Sequence, residues 1–74
     1  MSPYITGKSI RAARSVLGWT QGDLAAKTGL SAVGIKNIEA GRTDSRISTM
    51  NAIQAAFEQS GVTFIEAGIT WRGI

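Results

Sequence analysis

Side chains that could carry out covalent chemistry are scarce in this chain of 74 residues. It has no cysteine and no histidine, so it lacks thiolate ligands, the commonest metal ligand and the usual general base. Its five acidic residues are spread thinly, and none are paired at the spacing of a metal-binding loop. We therefore expect no enzymatic activity, no metal site and no cofactor.

The positive charges are concentrated in one part of the chain. Residues 1–46 contain seven Lys and Arg against three acidic residues, a net charge of +4, whereas residues 47–74 contain one Arg against two Glu, a net charge of −1. A basic region of this kind favours contact with nucleic acid, although the overall +3 is also ordinary for a small soluble surface. No apolar run approaches the roughly 18 residues of a membrane span.

The stretch from Thr20 to Arg42 predicts two short helices joined by a tight turn. Thr20 and Asp23 have the spacing of a capping box at the start of the first helix, and Ser31 can cap the second helix. Gly29 can adopt the left-handed backbone that ends a helix abruptly. The residues expected to face inward are Leu24, Leu30, Ile35 and Ile38.

This pattern leaves small and polar side chains on the outer face of the second helix, namely Ala32, Val33, Lys36 and Asn37. A surface helix of this kind on a basic domain suits the major groove of DNA. Ala32 and Val33 can make only apolar contacts, for which a thymine methyl group is the natural target. Asn37 can pair with adenine, and Lys36 can reach guanine or a phosphate.

The stretch resembles the helix-turn-helix of Cro/C1-type transcriptional regulators, the xenobiotic-response-element-like family. The matching segments are Trp19-Thr20-Gln21, Leu24-Ala25, Gly29-Leu30-Ser31, Ile35 and Ile38-Glu39-Ala40-Gly41-Arg42, and a looser match runs from about Thr6 to Val62. The resemblance implies an all-α fold: a lambda-repressor-like helix-turn-helix domain of four to five helices with a short C-terminal β element. It also implies a structural ion pair between Arg14 and Glu39.

The resemblance further implies a set of DNA-binding residues: Gln21, Ser31, Ala32, Val33, Lys36, Asn37, Arg42, Thr43 and Arg46. Gln21 begins a helix, where phosphate is attracted, and the two arginines are placed to clamp the sugar-phosphate backbone. Many relatives carry glutamine or arginine at the place of Ala32. Specificity here would therefore depend on Lys36 and Asn37, or on DNA shape.

Two more helices are expected to flank the motif. Thr6 caps the first of them and Gly18 ends it, with an inward stripe of Ile10, Ala13, Val16 and Leu17. Ser48 caps the other, which runs to about Gln59 with an apolar side of Ile47, Met50, Ile53, Ala56 and Phe57.

The last thirteen residues favour two strands with a turn at Gly68. We divide the chain into a DNA-binding domain at 1–61, with the motif at about 20–40, and a C-terminal strand or hairpin at 62–74. This segment can pack on its own domain, pair with a second subunit, or stay mobile. The residues expected to contact a second subunit are Phe64, Ile65, Ile69 and Trp71.

The sequence as a whole predicts a cytoplasmic, sequence-specific regulator of bacterial or phage origin whose partner is double-stranded DNA. We expect a repressor that binds a palindromic operator as a homodimer. The alternative is an antitoxin or adaptor module that binds a toxin or another protein partner through its C-terminal segment.

Overall fold

A computed structural model describes residues 5–42 and 46–73 of the chain. This part of the protein forms four helices followed by a two-stranded antiparallel sheet. The elements are α1 (Gly7–Leu17), α2 (Gln21–Thr28), α3 (Ala32–Glu39), α4 (Ile47–Gln59), β1 (Val62–Ile65) and β2 (Gly68–Trp71). The mostly helical fold with a short C-terminal β element is the one predicted from the sequence. No helix within these residues is long and apolar enough to span a membrane.

Side-chain caps begin three of the four helices. Thr20 Oγ1 accepts a hydrogen bond from the Asp23 backbone N–H at 3.0 Å, and Asp23 Oδ2 accepts from the Thr20 N–H at 2.9 Å, which completes the predicted capping box of α2. Thr6 and Ser9 form a second capping box at α1, whereas at α3 Ser31 Oγ accepts from the Gly34 N–H with no return bond. The prediction for α4 is wrong, because Arg46 rather than Ser48 is its N-cap residue and provides no side-chain hydrogen bond.

Left-handed glycines end α1 and α3. Gly18 has a φ of 69° and Gly41 a φ of 70°. At each end, the residue after the glycine donates its N–H five residues back: Trp19 to the Arg14 carbonyl at 2.9 Å, and Arg42 to the Asn37 carbonyl at 3.0 Å. These are the bonds of Schellman motifs, and they turn the chain sharply out of each helix.

One hydrophobic core joins all four helices and the hairpin. Its largest fully buried side chains are Phe57, Ile10, Leu24, Ile35, Ile53 and Val62. The rings of Trp19 and Phe57 stack at a centroid distance of 5.3 Å, and Phe64 meets Phe57 edge-on at 5.6 Å. Two predicted inward residues lie elsewhere: Ile47, in the first turn of α4, is 66% exposed, and Val16 is only partly buried and lies outside this core.

The hairpin packs against its own domain, which was one of the three possibilities left open by the sequence. Its register pairs Val62 with Trp71 and Phe64 with Ile69 on the face that meets α1 and α4. Phe64 is 5% exposed and its ring contacts Phe57. The side chain of Phe64 is thus used within its own core, and its role in a subunit contact stays a prediction. Ile65 and Ile69 are partly buried, and Trp71 is 43% exposed.

Gly7 marks a close approach of α1 to α3 that the sequence did not predict. A Cβ atom added at Gly7 would overlap the Glu39 carbonyl oxygen and lie 2.8 Å from the Glu39 carbonyl carbon. Both atoms belong to the backbone, so relief would require the two helices to move apart. The first turn of α1 therefore needs glycine for space, and not for an unusual backbone angle.

We expect Gly7→Ala to destabilise the protein by about 1–3 kcal/mol, because the cost of overpacking exceeds the helical preference of alanine. Gly22→Ala is the matched control in an exposed helical position, where the nearest atom to the added Cβ is Thr20 Oγ1 at 3.6 Å. It should stabilise the protein by up to about 1 kcal/mol. Urea unfolding followed by circular dichroism measures both changes. Equal stability of the two variants would contradict the close approach at Gly7.

Candidate nucleic-acid interface

The α2–turn–α3 unit is held together by small and branched apolar side chains. Leu24 and Ala25 of α2 and Ile35 of α3 are buried, and Leu30 and Ile38 pack against the core from its edge. Gly29 has a φ of 75° and donates its N–H to the Ala25 carbonyl at 2.9 Å, which ends α2. These contacts fix one side of α3 against the domain and leave its other side facing solvent.

The solvent-facing side of α3 is formed by the residues predicted to read DNA bases. Ala32, Val33 and Lys36 are exposed, with Val33 at 68%, and Asn37 is partly buried. Ser31 is exposed as well, and its Oγ accepts from the Gly34 N–H at 2.9 Å. An added Cβ at Gly34 would lie 3.0 Å from that oxygen.

Two exposed arginines follow α3. Arg42 comes directly after the glycine that ends the helix, and Arg46 caps α4. Thr43, the other residue predicted to bind DNA here, lies outside the described residues. Lys27 at the end of α2 places its Nζ 4.8 Å from the centroid of the Trp19 ring, so its ammonium group makes a cation–π contact with that ring.

A bidentate ion pair links α1 to the end of α3. Arg14 Nε donates to Glu39 Oε2 at 2.7 Å, and Arg14 Nη2 donates to Glu39 Oε1 at 2.8 Å. The third nitrogen, Nη1, donates to the Trp19 carbonyl at 3.0 Å. The side chain of Glu39 is 2% exposed and that of Arg14 is 16% exposed. The pair implied by the resemblance is thus present in the structure, and it is nearly buried.

Gln21 shares this carboxylate, a contact that sequence reasoning missed. Its Nε2 donates to Glu39 Oε1 at 3.3 Å, and the side chain is partly buried. The sequence predicts a DNA phosphate as the partner of Gln21 and gives no sign of a contact with Glu39. Eighteen residues separate Gln21 from Glu39. No local spacing rule connects residues so far apart, so only the packing of α2 against α3 reveals the bond.

Burial by itself would raise the pKa of Glu39, since it penalises the charged form. The hydrogen bonds from Arg14 and Gln21, together with the charges of Arg14 and Arg11, outweigh burial and hold the pKa of Glu39 below its usual value of 4.5. The Glu39 hydrogen bond in turn raises the pKa of Arg14, despite the opposing effect of burial. The pair therefore stays ionised at neutral pH.

A depressed carboxylate pKa adds stability above the unfolded-state pKa, and this stability is lost as the pH falls through the folded-state pKa. Glu39→Gln should therefore cost about 3 kcal/mol at pH 7, because it breaks a nearly buried pair, and its deficit should shrink below about pH 4.5. Urea unfolding across pH 2–7 measures the difference in the free energy of unfolding between Glu39→Gln and the wild type. Glu66→Gln, which changes an exposed glutamate, is the control and should show no such difference. A deficit independent of pH would contradict the role of the Glu39 charge.

Comparisons with protein families and with solved structures find matches to this arrangement. The family model described as Helix-turn-helix matches residues 10–64, more than half of the chain. No curated protein sequence matches. Among solved structures, the chain is similar to the DNA-binding domain of the P22 C2 repressor (1–76), determined by nuclear magnetic resonance in solution. The two are 29% identical with a TM-score of 0.68, over 78% of this chain and 76% of that one.

The family match covers α2, α3 and the core that supports them, and the structural match extends over most of the fold. Within the described residues, no group of acidic, histidine or cysteine side chains is arranged to hold a metal ion. The chain belongs to the Cro/C1-type helix-turn-helix family, whose members are DNA-binding regulators and not enzymes.

Proposed function

We propose that this protein is a sequence-specific repressor that binds a palindromic operator as a homodimer. The observation that carries the proposal is the division of α3 into a buried side, anchored by Ile35 and Glu39, and an exposed side that bears Val33 and Lys36. An anchored helix with an exposed outer face can enter the major groove without rearranging the domain. The repressor role is supported by the similarity to the P22 C2 repressor domain.

The exposed side of α3 offers only a few kinds of chemical group for contacts with DNA bases. Val33 and Ala32 offer methyl groups that suit the C5-methyl group of thymine. Asn37 and Lys36 supply the hydrogen bonds, to adenine and to guanine or phosphate respectively. Since only two of these four side chains can hydrogen-bond, we expect A·T-rich half-sites and a contribution from DNA shape.

Backbone contacts would come from both sides of α3. Arg42 and Arg46 are exposed just after it, and Gln21 lies at the N-terminus of α2, where helix amides attract phosphate. Such contacts give affinity and orientation with little sequence information. The net charge of +4 in residues 1–46 supports binding to a polyanion.

The hairpin supports the homodimer. Its sheet contains only β1 and β2, so each strand has an edge without a partner strand in the described chain. Ile65, Ile69 and Trp71 remain at least partly exposed there, in the part of the chain without excess positive charge. Pairing of two copies would place two α3 helices on one duplex, with half-sites about 34–36 Å apart. Occupying a promoter in this way would repress transcription by excluding polymerase.

Selection from random-sequence DNA tests the proposal. We expect enrichment of a palindrome, with an affinity that falls steeply between low and high salt. Asn37→Ala should relax specificity at one base position. Arg42→Ala should weaken binding to all duplexes alike, and should reduce the slope of log affinity against log salt concentration by about one unit. Weak, sequence-blind binding by the wild type would contradict the proposal. It would favour the alternative of a protein partner.

Sedimentation equilibrium tests the subunit contact. Trp71→Lys should weaken self-association at least tenfold, since it places a charge in the proposed contact at a residue that is itself 43% exposed. Ile47→Lys is the matched control, because Ile47 is also a large exposed apolar residue but lies outside the hairpin. Equal self-association of the wild type and Trp71→Lys would exclude the hairpin as the dimer contact. Point variants are needed because residues 62–74 cannot be removed without loss of the core residues Val62 and Phe64.

A further inference from the structure

The Glu39 carboxylate connects three helices at the edge of the proposed DNA interface. It lies at the end of α3, accepts two hydrogen bonds from Arg14 of α1, and accepts a third from Gln21 in the first turn of α2. We propose that Glu39 is a positioning residue for DNA binding: it holds the Gln21 side chain in the orientation in which that side chain binds a DNA phosphate. This inference rests on the proposed DNA-binding function.

The chemistry of the carboxylate determines which way the Gln21 amide points. An ionised carboxylate can only accept hydrogen bonds, so Gln21 must turn its nitrogen, and not its carbonyl oxygen, toward Glu39. One of the two amide N–H bonds is used in this contact. The second N–H stays available at the start of α2, where the first backbone amides have no acceptor within the helix. Together these donors suit a phosphate oxygen.

A carboxylate so close to a phosphate site would normally repel the phosphate. Here its charge is compensated by the bidentate guanidinium of Arg14, and Arg11 Nε lies 3.8 Å from Glu39 Oε1. Two cations thus lie beside the single Glu39 carboxylate, and the Asp23 carboxylate in the first turn of α2 accepts a hydrogen bond from the Thr20 N–H. Glu39 can therefore hold Gln21 without making the local potential unfavourable for DNA.

The benefit to binding is entropic. A free glutamine side chain on the surface samples several rotamers and loses this freedom when it binds a ligand. The bond to Glu39 restricts Gln21 during folding, before DNA arrives. The contribution of Gln21 to affinity should therefore depend on Glu39, which a purely structural role of Glu39 does not require.

A double-mutant cycle on DNA affinity tests this dependence. The four proteins are wild type, Gln21→Ala, Glu39→Gln and the double variant, and the probe is a fluorescently labelled duplex enriched by wild type in the selection experiment. In the wild type, Gln21→Ala should weaken binding about tenfold, the loss expected for a hydrogen bond to a charged group. In the Glu39→Gln background the same change should cost less than about twofold, since a neutral amide at position 39 can donate as well as accept and no longer forces the Gln21 nitrogen toward it.

The control is Gln59→Ala, which removes an exposed glutamine from the end of α4 and should leave affinity unchanged in both backgrounds. Equal losses from Gln21→Ala in the two backgrounds would overturn the inference and leave the proposed function intact. If the wild type enriches no duplex at all, the proposed function itself fails, and the inference fails with it. The two failures are thus distinguishable.

Glu39→Gln can fail to fold, because it breaks a nearly buried ion pair. In that case, nuclear magnetic resonance of the wild type decides. The Gln21 side-chain amide protons should exchange with water more slowly than those of Gln59, and they should shift when the labelled duplex is added. The inference would be overturned if the Gln21 amide protons exchange with water as fast as those of Gln59 in the free protein. It would also be overturned if their chemical shifts do not change when the duplex is added.

Discussion

The bidentate ion pair between Arg14 and Glu39 is the interaction on which the rest of this structure depends. Burying a carboxylate is costly unless its oxygens are hydrogen-bonded, and here they accept from Arg14 on α1 and Gln21 on α2. The third nitrogen of Arg14 binds the Trp19 carbonyl at the entry to α2. One charged pair thus sets how α1, α2 and α3 meet, in a chain with no cysteine to supply a disulfide.

The hydrophobic core adds apolar contacts to this polar link. A chain of this length buries a modest apolar surface, so each element has to contribute to the core. The aromatic group of Trp19, Phe57 and Phe64 joins the entry to α2, the centre of the domain and the hairpin. The hairpin is therefore a structural part of the domain before it is a candidate subunit contact. This explains why Phe64 is buried while Trp71, at the far end of β2, keeps an exposed surface.

The same framework accounts for the character of the proposed DNA interface. The buried side of α3 contains Ile35 and the Glu39 carboxylate, so the exposed side is free to carry residues that do not stabilise the fold. Those residues are mostly small or apolar, and the positive charge lies around them at Arg42 and Arg46. In the proposed interface, affinity would come from phosphate contacts, whereas specificity would come from a few base contacts and from DNA shape.

Features that depend on near neighbours can be predicted from residue types and their spacing. The caps at Thr20 and Ser31, the turn at Gly29 and the apolar spacing around Ile35 act within a few residues, so the helix-turn-helix and the helical fold were predictable. Contacts between distant segments are visible only in the folded domain: the backbone approach at Gly7, the bond between Gln21 and Glu39, and the burial of Phe64. These depend on how whole helices and strands are oriented when they pack, and residue spacing along the chain carries no direct record of that orientation.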